Sequence, residues 1–351
     1  MDLTDLVFCM RPLRRGLALL RVAPRFGLLL ALAVAEPTVH PASKGPEIEE
    51  YRGMCDASAA VEVDEHHFLV ASDEDSQLRL YRVHKPGLPT AVFDLTRFLQ
   101  LDRKHPETDI EGAARVGDRA YWITSHGRNQ QGKPRESRDR FFATTIKVVD
   151  GRVTVEPAGR PYKTLLDDLA RDPRLIAYNL KKAAQKAPKS EGALNIEGLC
   201  ATPGGRLLIG FRNPIPHGRA LVVPLLNPDE MIAGRRARLG DPIELDLGGQ
   251  GIRDLSYVDG RYMIVAGDFD SHGRGKLYWW DGPGSLPERI EHTHLRYLHP
   301  EAVVFYPGKG ARKFQVISDD GTHEIGGCAC KALKDPSQRR FRSIWISSRE
   351  E

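Results

Sequence analysis

The sequence lacks a hydrophobic run long enough to cross a membrane. None of its apolar stretches reaches the ~18 residues that a spanning helix requires, so we expect no stable membrane insertion. It also lacks a strong charge of one sign, since 51 Lys and Arg against 47 Asp and Glu give a net charge of +4. The basic residues are scattered, whereas a nucleic-acid surface needs a clustered basic face. Nucleic acid is therefore not an expected partner.

Familiar catalytic signatures are absent as well. The chain has no G-x-S-x-G elbow, no Walker loop, no H-E-x-x-H and no dinucleotide fingerprint. Cysteine is scarce, with five in 351 residues and no second pair at zinc-finger spacing. Cys328 and Cys330 have too little chain between them for a relaxed bridge. The disulfide state of Cys55, Cys200, Cys328 and Cys330 stays open at this stage.

The N-terminus has the pattern of an export signal. Five arginines precede the apolar stretch 26–35, and Ala33-Val34-Ala35 supplies a small-residue cleavage pattern. Met10 is an alternative start that would shorten the signal. We predict a signal peptide at 1–35, a linker at 36–47 and a periplasmic or secreted protein. The alternative is a disordered extension, or a start codon placed too early, on a cytoplasmic protein.

A phrase recurs five times along the rest of the chain. Each copy is a short alternating run, a turn signal and a second run rich in β-branched and aromatic residues, which is typical of a β-hairpin. Repeats near 50 residues are a mark of propellers. The copies are SAAVEVDEHHFLVASDED from Ser58, EGAARVGDRAYWITSHG from Glu111, EGLCATPGGRLLIGFRNP from Glu197, RDLSYVDGRYMIVAGDFD from Arg253 and EAVVFYPGKGARKFQVISDDG from Glu301.

Further strand candidates after each hairpin give about four strands per unit, which is the pattern of a propeller blade. We therefore predict an all-β, five-bladed propeller over 48–351, as a monomer; a sixth, degenerate blade is the alternative. A helical insertion at about 162–187 separates the second and third blades, with leucines spaced for one apolar face. A strand near 48–52 would close the ring and cover its open edge.

Aligning the repeats predicts two rings of residues at one channel mouth. The inner-strand starts give Ser58, Glu111, Glu197, Arg253 and Glu301, and the ends of the second strands give Asp73, His126, Arg212, Asp268 and Asp319. Three converging glutamates repel one another unless a cation or an arginine lies among them. A hard divalent cation such as Ca²⁺ held by Glu111, Glu197 and Glu301 is one solution. Pairing of the glutamates with Arg212 and Arg253 is the other.

An anionic small molecule would find further groups at this mouth. We predict His126, Glu197 and Arg253 as catalytic residues: His126 would move the proton, Glu197 would help to hold the metal, and Arg253, with Arg212, would stabilise negative charge. Candidate ligand-binding residues are Arg128, Arg212, Asn213, Asp73, Asp268 and Asp319. The loop 125–140 is either a basic lid over the ligand or a solvated charged loop. The repeated glutamates have a purely structural alternative, as acceptors of backbone N–H groups.

Several long phrases resemble a bacterial family known as domain of unknown function 3616, over about Tyr51 to Ser347. They are GMCDASAA, DIEGAARVGDRAYWITSHGRN, LNIEGLCATPGGRLLIGFRNP, LVVPLLNPDEMIAG and RRFRSIWI. The resemblance implies a propeller-like domain and no established activity. A weaker likeness to phytase-like esterases and calcium-dependent lactonase propellers is carried by Glu111, Glu197 and Glu301. Ser58 and Arg253 depart from a full ring of glutamates.

Two functional hypotheses follow. The first is a propeller that binds an anionic small molecule at one mouth, with metal-dependent hydrolysis of a phosphate or an ester there. The second is a non-enzymatic module that uses the same face to bind a protein or a glycan, because propellers host both kinds of function. A pocket with perturbed acids favours the first, and a flat face with exposed aromatic residues favours the second.

Overall fold

The structure is a computed structural model that describes residues 47–101, 105 and 107–347. The predicted signal peptide, 1–35, and linker residues 36–46 lie outside these residues. Across the described ranges, no helix is both long and apolar enough to span a membrane.

The chain forms five four-stranded antiparallel sheets, which confirms the predicted five-bladed propeller. The first strand, β1 (Ile48–Arg52), belongs to the last blade. The first blade follows it with β2 (Ala57–Glu62), β3 (His67–Ser72), β4 (Gln77–Arg82) and β5 (Ala91–Asp94). The second contains β6 (Ile110–Val116), β7 (Arg119–Thr124), β8 (Phe141–Val149) and β9 (Arg152–Tyr162).

The predicted helical insertion lies between the second and third blades, with helical residues from 165 to 183. It consists of α1 (Leu165–Arg171), a 3₁₀ helix (Pro173–Tyr178) and α2 (Leu180–Ala183). Leu165, Leu169, Leu175 and Leu180 are buried. Ile176, directly after Leu175, is 61% exposed. Pro173 starts a 3₁₀ segment with about three residues per turn, which rotates Ile176 away from the apolar stripe.

The third and fourth blades repeat the plan. The third has β10 (Asn195–Ala201), β11 (Leu207–Asn213), β12 (Ala220–Leu225), the helix α3 (Pro228–Ile232) and β13 (Ile243–Leu245). The fourth has β14 (Gly251–Val258), β15 (Arg261–Gly267), β16 (Lys276–Trp280) and β17 (Glu288–Ile290).

The fifth blade joins the two ends of the described chain. It contains β18 (Pro300–Phe305) and β19 (Lys313–Ser318), then an excursion with the short strands β20 (Glu324–Ile325) and β21 (Cys328–Ala329), and finally β22 (Arg340–Ser347). The outer strand is β1, which pairs antiparallel with β22 from Ile48–Ile344 to Arg52–Arg340. The ring therefore closes with a strand from the N-terminal side.

Aromatic packing and a disulfide reinforce this closure. Tyr51 of β1 is fully buried, with its ring 5.1 Å from that of Phe68 in the first blade and 5.4 Å from that of Phe341 in β22. Cys55, just after β1, is bonded to Cys330 across 275 residues. Cys200 and Cys328 are free thiols. Strand pairing thus holds β1 in the last blade, and apolar packing joins it to the first blade. The disulfide ties the segment between β1 and β2 to the last blade.

Candidate functional site

Each inner strand of the propeller carries a β-bulge near its start. The register with the second strand shifts between Ala57 and Ala59, Ile110 and Gly112, Ile196 and Gly198, Ile252 and Asp254, and Pro300 and Ala302. The bulged residues are therefore Ser58, Glu111, Glu197, Arg253 and Glu301. A bulge leaves one residue unpaired and re-aims its side chain. Five equivalent side chains thus depart from the ladder at the same end of the channel.

Glu111 lies in a cluster of acids that come from two blades. One carboxylate oxygen from each of Asp73, Asp109 and Glu111 lies within 4.8 Å of the others. Asp73 follows β3 directly, and Asp109 precedes β6 with a left-handed backbone (φ 58°). The loop ends of neighbouring blades therefore bring these three carboxylates together.

The electrostatics of this cluster are unfavourable to three negative charges. Burial raises the pKa of Glu111 well above its usual range, and the charges of Asp109, Glu197 and Asp73 raise it further. Burial and the charge of Asp319 likewise raise the pKa of Asp73. Burial raises the pKa of Asp109 to about 7, even though the Arg138 guanidinium lowers it. Among the described residues, the buried Oδ1 atom of Asp73 has no hydrogen-bond partner. Of the three carboxylates, the Arg138 guanidinium contacts that of Asp109 only, so the cluster carries more negative charge than this arginine balances.

Glu197 is held by an arginine of its own blade. Its Oε1 accepts hydrogen bonds from Arg212 Nη1 at 2.5 Å and from Asn195 Nδ2 at 2.7 Å. Arg212 also donates to the Asp268 carbonyl at 3.1 Å and to the Ser271 hydroxyl. Glu197 Oε2 is buried and has no hydrogen-bond partner in the described part of the chain. Hydrogen bonds thus fix Oε1 of Glu197, whereas Oε2 can still accept a hydrogen bond or a proton.

Glu301 is held by an arginine from the neighbouring blade. Its Oε1 contacts Arg253 Nη1, and both residues are buried. Burial and the nearby charge of Arg212 lower the pKa of Arg253 to about 10. Of the three glutamates predicted to bind a metal, Glu197 and Glu301 are therefore paired with arginine. Arginine pairing was the alternative to a bound cation as a way to relieve the repulsion among the glutamates. Glu111 instead joins Asp73 and Asp109.

His126 is held within its own loop. Its Nδ1 lies 2.8 Å from the Thr124 carbonyl oxygen, so this nitrogen carries a proton and donates it. Its Nε2 is buried without a hydrogen-bond partner among the described residues. Burial lowers the pKa of His126, against the charge of Asp139, which raises it. No contact of His126 with Glu197 or Arg253 is found in the described part of the chain.

Four other predicted ligand-binding residues make contacts within the protein. Arg128 donates to the Ala184 carbonyl at 3.0 Å, and Asn213 donates to the Ser190 carbonyl at 2.8 Å. Asp268 accepts from Gln250 Nε2 at 2.9 Å. Asp319 accepts from the Gly321 backbone N–H at 2.8 Å, as expected for an Asx turn. Burial raises the pKa of Asp319. These bonds anchor the loops around the mouth.

Two important residues were not predicted. Asp109 completes the acidic cluster, and Arg138 donates to its Oδ2 at 2.7 Å while also pairing with Glu107. Arg138 belongs to the loop 125–140, which was interpreted as either a basic lid over a ligand or a solvated charged loop. A signal for Asp109 was present in the sequence. It lies two residues before Glu111, as Asp56 lies two residues before Ser58.

Comparison of the chain with family models identifies its family. The model described as "Protein of unknown function (DUF3616)" matches residues 56–150 and 155–307. The chain belongs to this family. The match confirms the resemblance carried by the repeated phrases. The DUF3616 chain is thus a β-propeller of a family without an assigned activity, and no curated protein matches it.

Solved structures give distant likenesses only. A putative oxidoreductase (glucose dehydrogenase) from Thermus thermophilus is 15% identical, with a TM-score of 0.42 over 86% of this DUF3616 chain and 100% of that chain. The PQQ-bound aldose sugar dehydrogenase of Streptomyces coelicolor is 11% identical, with a TM-score of 0.40 over 88% and 100%. A Trypanosoma rangeli sialidase is 11% identical, with a TM-score of 0.39 over 75% and 43%. Similarities this low carry no argument about the chemistry of the site.

Proposed function

We propose that the channel mouth binds a divalent cation through Asp73, Asp109 and Glu111, and that the protein hydrolyses a phosphate or an ester of an anionic small molecule there. The observation that carries this proposal is the cluster of three carboxylates with the buried, unpartnered Oδ1 of Asp73. Carboxylate oxygens are the ligands that hard cations such as Ca²⁺ prefer. A cation would also relieve the repulsion among these acids.

Ligand assignment differs from the sequence-based prediction in two glutamates. Glu197 and Glu301 pair with Arg212 and Arg253 and belong to no group of converging acids among the described residues. We therefore assign the cation to Glu111 together with Asp73 and Asp109, of which only Asp109 contacts an arginine in the described part of the chain. A bound divalent ion would supply Lewis-acid polarisation of a phosphoryl or carbonyl oxygen. The protein's own groups would position the substrate and move the proton.

Glu197 is the group best suited to accept a proton. Asn195 and Arg212 hold its Oε1 and fix the orientation of the carboxylate, while Oε2 is left without a partner among the described residues. We prefer Glu197 to His126 as the base, because the charge of Glu197 acts on Glu111 and raises its pKa, whereas no contact joins His126 to the acidic cluster among the described residues. Arg253 lies beside Glu301 at the same mouth, where its guanidinium would stabilise negative charge on the substrate.

The alternative, a non-enzymatic interaction face, has less support. Among the described residues, Tyr297 is the only aromatic side chain that is classed as exposed, at 50%. The Arg296 guanidinium covers its ring at 4.6 Å. Exposed aromatic residues are typical anchors of protein interfaces. A buried cluster of acids at the mouth instead favours a small ligand.

Calcium binding by the full chain, after removal of metal with a chelator, tests the cation site. We expect Ca²⁺ to bind and to raise the melting temperature, since ligand at 100 times its Kd stabilises a protein by about 2.7 kcal/mol. Asp109→Asn should weaken binding at least tenfold. Asp118→Asn, in the exposed hairpin turn of the same blade, is the matched control and should bind normally. Absence of any binding would assign the acids to packing and arginine pairing.

Hydrolysis is then measured with p-nitrophenyl phosphate and a set of lactones. Glu197→Gln should lower kcat by about 100-fold or more, as expected for loss of a general base. Its melting temperature must be measured in parallel, because the substitution also weakens a buried ion pair. Full activity of a folded Glu197→Gln protein would reject this residue as the base.

We further infer that the protein is exported to the periplasm or secreted. The Cys55–Cys330 disulfide supports this, because structural disulfides persist in oxidising compartments and are rare in the cytosol. The arginine-rich, apolar pattern of residues 11–35 points in the same direction. The redox state of this cysteine pair in protein isolated from cells is the direct test.

A further inference from the structure

A second group of acids lies beside the proposed cation site and shares one residue with it. One carboxylate oxygen from each of Asp56, Asp73 and Glu74 lies within 4.8 Å of the others. Asp73 is therefore common to two triads, one completed by Asp109 and Glu111 and the other by Asp56 and Glu74. The two triads are adjacent because they share this side chain.

Asp73 has the chemistry needed to serve both groups. A carboxylate has two oxygens with about four lone-pair sites between them, so it can contact two cations at once. Its buried Oδ1 has no hydrogen-bond partner in the described part of the chain. A buried acceptor that no protein group satisfies is costly, and a bound ion would satisfy it.

The second triad is held firmly by the closure of the ring. Asp56 is only 7% exposed and forms an isolated antiparallel bridge with Asp319 of the last blade. The preceding residue, Cys55, forms the disulfide and accepts a backbone hydrogen bond from Asp320 at 3.0 Å. Asp56 is thus positioned by the joint between the first and last blades.

The positive charge near this second triad is less than the negative charge. Lys331 Nζ lies 3.7 Å from Glu74 Oε1, and both side chains are partly exposed. An exposed ion pair of this kind is screened by solvent and contributes little. Asp319 adds another carboxylate beside Asp56. Lys331 and Arg339 both lower the pKa of Asp56, and Arg253 lowers that of Asp319, so three basic side chains lie near four acids.

We propose that the mouth binds two divalent cations, one in each triad, with the Asp73 carboxylate shared between them. This inference rests on the proposed cation site and adds a second ion, placed by Asp56 and Glu74. Two-metal sites hold their ions about 3.5–4 Å apart and clamp the attacking and leaving oxygens of a displacement. A shared carboxylate is compatible with so short a separation.

The number of bound ions tests the proposal. We use the full chain with Ca²⁺ alone, measured by equilibrium dialysis and elemental analysis. The unmodified protein should bind two ions, and Asp56→Asn and Glu74→Gln should each bind one. Glu74 is exposed, so Glu74→Gln remains informative if Asp56→Asn fails to fold. Asp118→Asn should keep both ions.

The outcomes separate the two proposals. One ion in the unmodified protein, lost in Asp109→Asn and kept in Glu74→Gln, would overturn the second site and leave the first. Binding of no ion would overturn both. Two ions without hydrolysis would retain this inference and reject the hydrolase.

A spectroscopic measurement tests whether Asp73 is shared. With Mn²⁺ alone as the probe, two ions joined by one carboxylate should give an exchange-coupled EPR spectrum. Glu74→Gln should convert it to the spectrum of an isolated ion. Two uncoupled Mn²⁺ signals in the unmodified protein would show separate sites and overturn the shared carboxylate.

Discussion

At the level of single residues, glutamates that begin the same E-G phrase have different electrostatic partners. Glu111 and Glu197 begin the same E-G phrase and occupy equivalent bulges, yet Glu197 faces Arg212 while Glu111 faces Asp73 and Asp109. The partners come from different places: Arg212 lies in the second strand of the same blade as Glu197, whereas Asp73 follows the second strand of the blade before Glu111. The side chains that meet each glutamate decide whether it forms an ion pair or adds to a cluster of acids.

Removal of Glu301 should be costly for stability. Arg253 and Glu301 are 7% and 8% exposed, and removing one partner of a buried pair typically costs about 3–5 kcal/mol because it leaves an unpaired charge. We expect a loss of this size for Glu301→Gln in urea unfolding. The double variant Glu301→Leu with Arg253→Met should recover most of it. A loss below about 1 kcal/mol would contradict a closed buried pair.

The alignment of repeats predicted the bulged residues but not all of their partners. The predicted equivalence of five positions was correct because the five phrases share one hairpin geometry. Ser58 and Arg253 could therefore be placed as surely as the glutamates. Asp109 and Arg138 were missed. Their meeting depends on the path of the loop 125–140, which follows from contacts distant in sequence and not from a repeat.

At the level of elements, the glycine in the E-G phrase allows neighbouring blades to approach. A Cβ atom on Gly112 would lie 2.7 Å from the Glu197 carbonyl oxygen and 2.9 Å from Ile123 Cγ2. The inner strand of the second blade therefore packs backbone to backbone against that of the third. Gly112 thus allows close packing of the two strands, while Glu111 before it contributes a carboxylate to the channel mouth.

Alanine at position 112 should destabilise the propeller. Overpacking of a tight site typically costs about 1–3 kcal/mol, and we expect a loss in this range for Gly112→Ala by chemical denaturation. Gly204→Ala is the control, because nothing lies within 4 Å of a Cβ at that turn. Equal stability of the two variants would argue against close packing of these inner strands.

Elements with a local signal could be predicted, and those without one could not. The hairpins were recognised from turns such as Asp259-Gly260, where both residues have positive φ. The helical insertion was recognised from its leucines, but Pro173 divides it into short pieces that the periodicity alone did not indicate. The two-residue strands β20 and β21 had no usable pattern.

For the whole molecule, ring closure connects the two ends of the described chain through a strand pair and a disulfide. The Cys55–Cys330 bond spans 275 residues, and a disulfide that closes a long loop stabilises mainly by restricting the unfolded chain. The sequence predicted the closing strand from the open edge of the last blade. It could not predict the cysteine pairing, because four cysteines allow three connectivities.

Loss of this disulfide should lower the free energy of unfolding by about 2–5 kcal/mol. We expect this for Cys55→Ser, whereas Cys328→Ser, two residues from Cys330 and outside the bond, should change little. In protein isolated from cells with free thiols blocked, Cys55 and Cys330 should remain unlabelled. Labelling of both in freshly isolated protein would contradict the disulfide and the proposed export.

Because β1 pairs with β22, a truncation near the C-terminus would also affect the N-terminal strand. β1 is the edge strand of the last blade, and β22 is its only strand neighbour in that sheet. A frameshift upstream of Arg340 would therefore eliminate β22 from the protein. It would also leave β1, which is synthesised near the opposite end of the chain, without a partner strand. The last blade would retain β18 and β19 alone. A mutation that deletes few residues would thus act on both ends of the polypeptide.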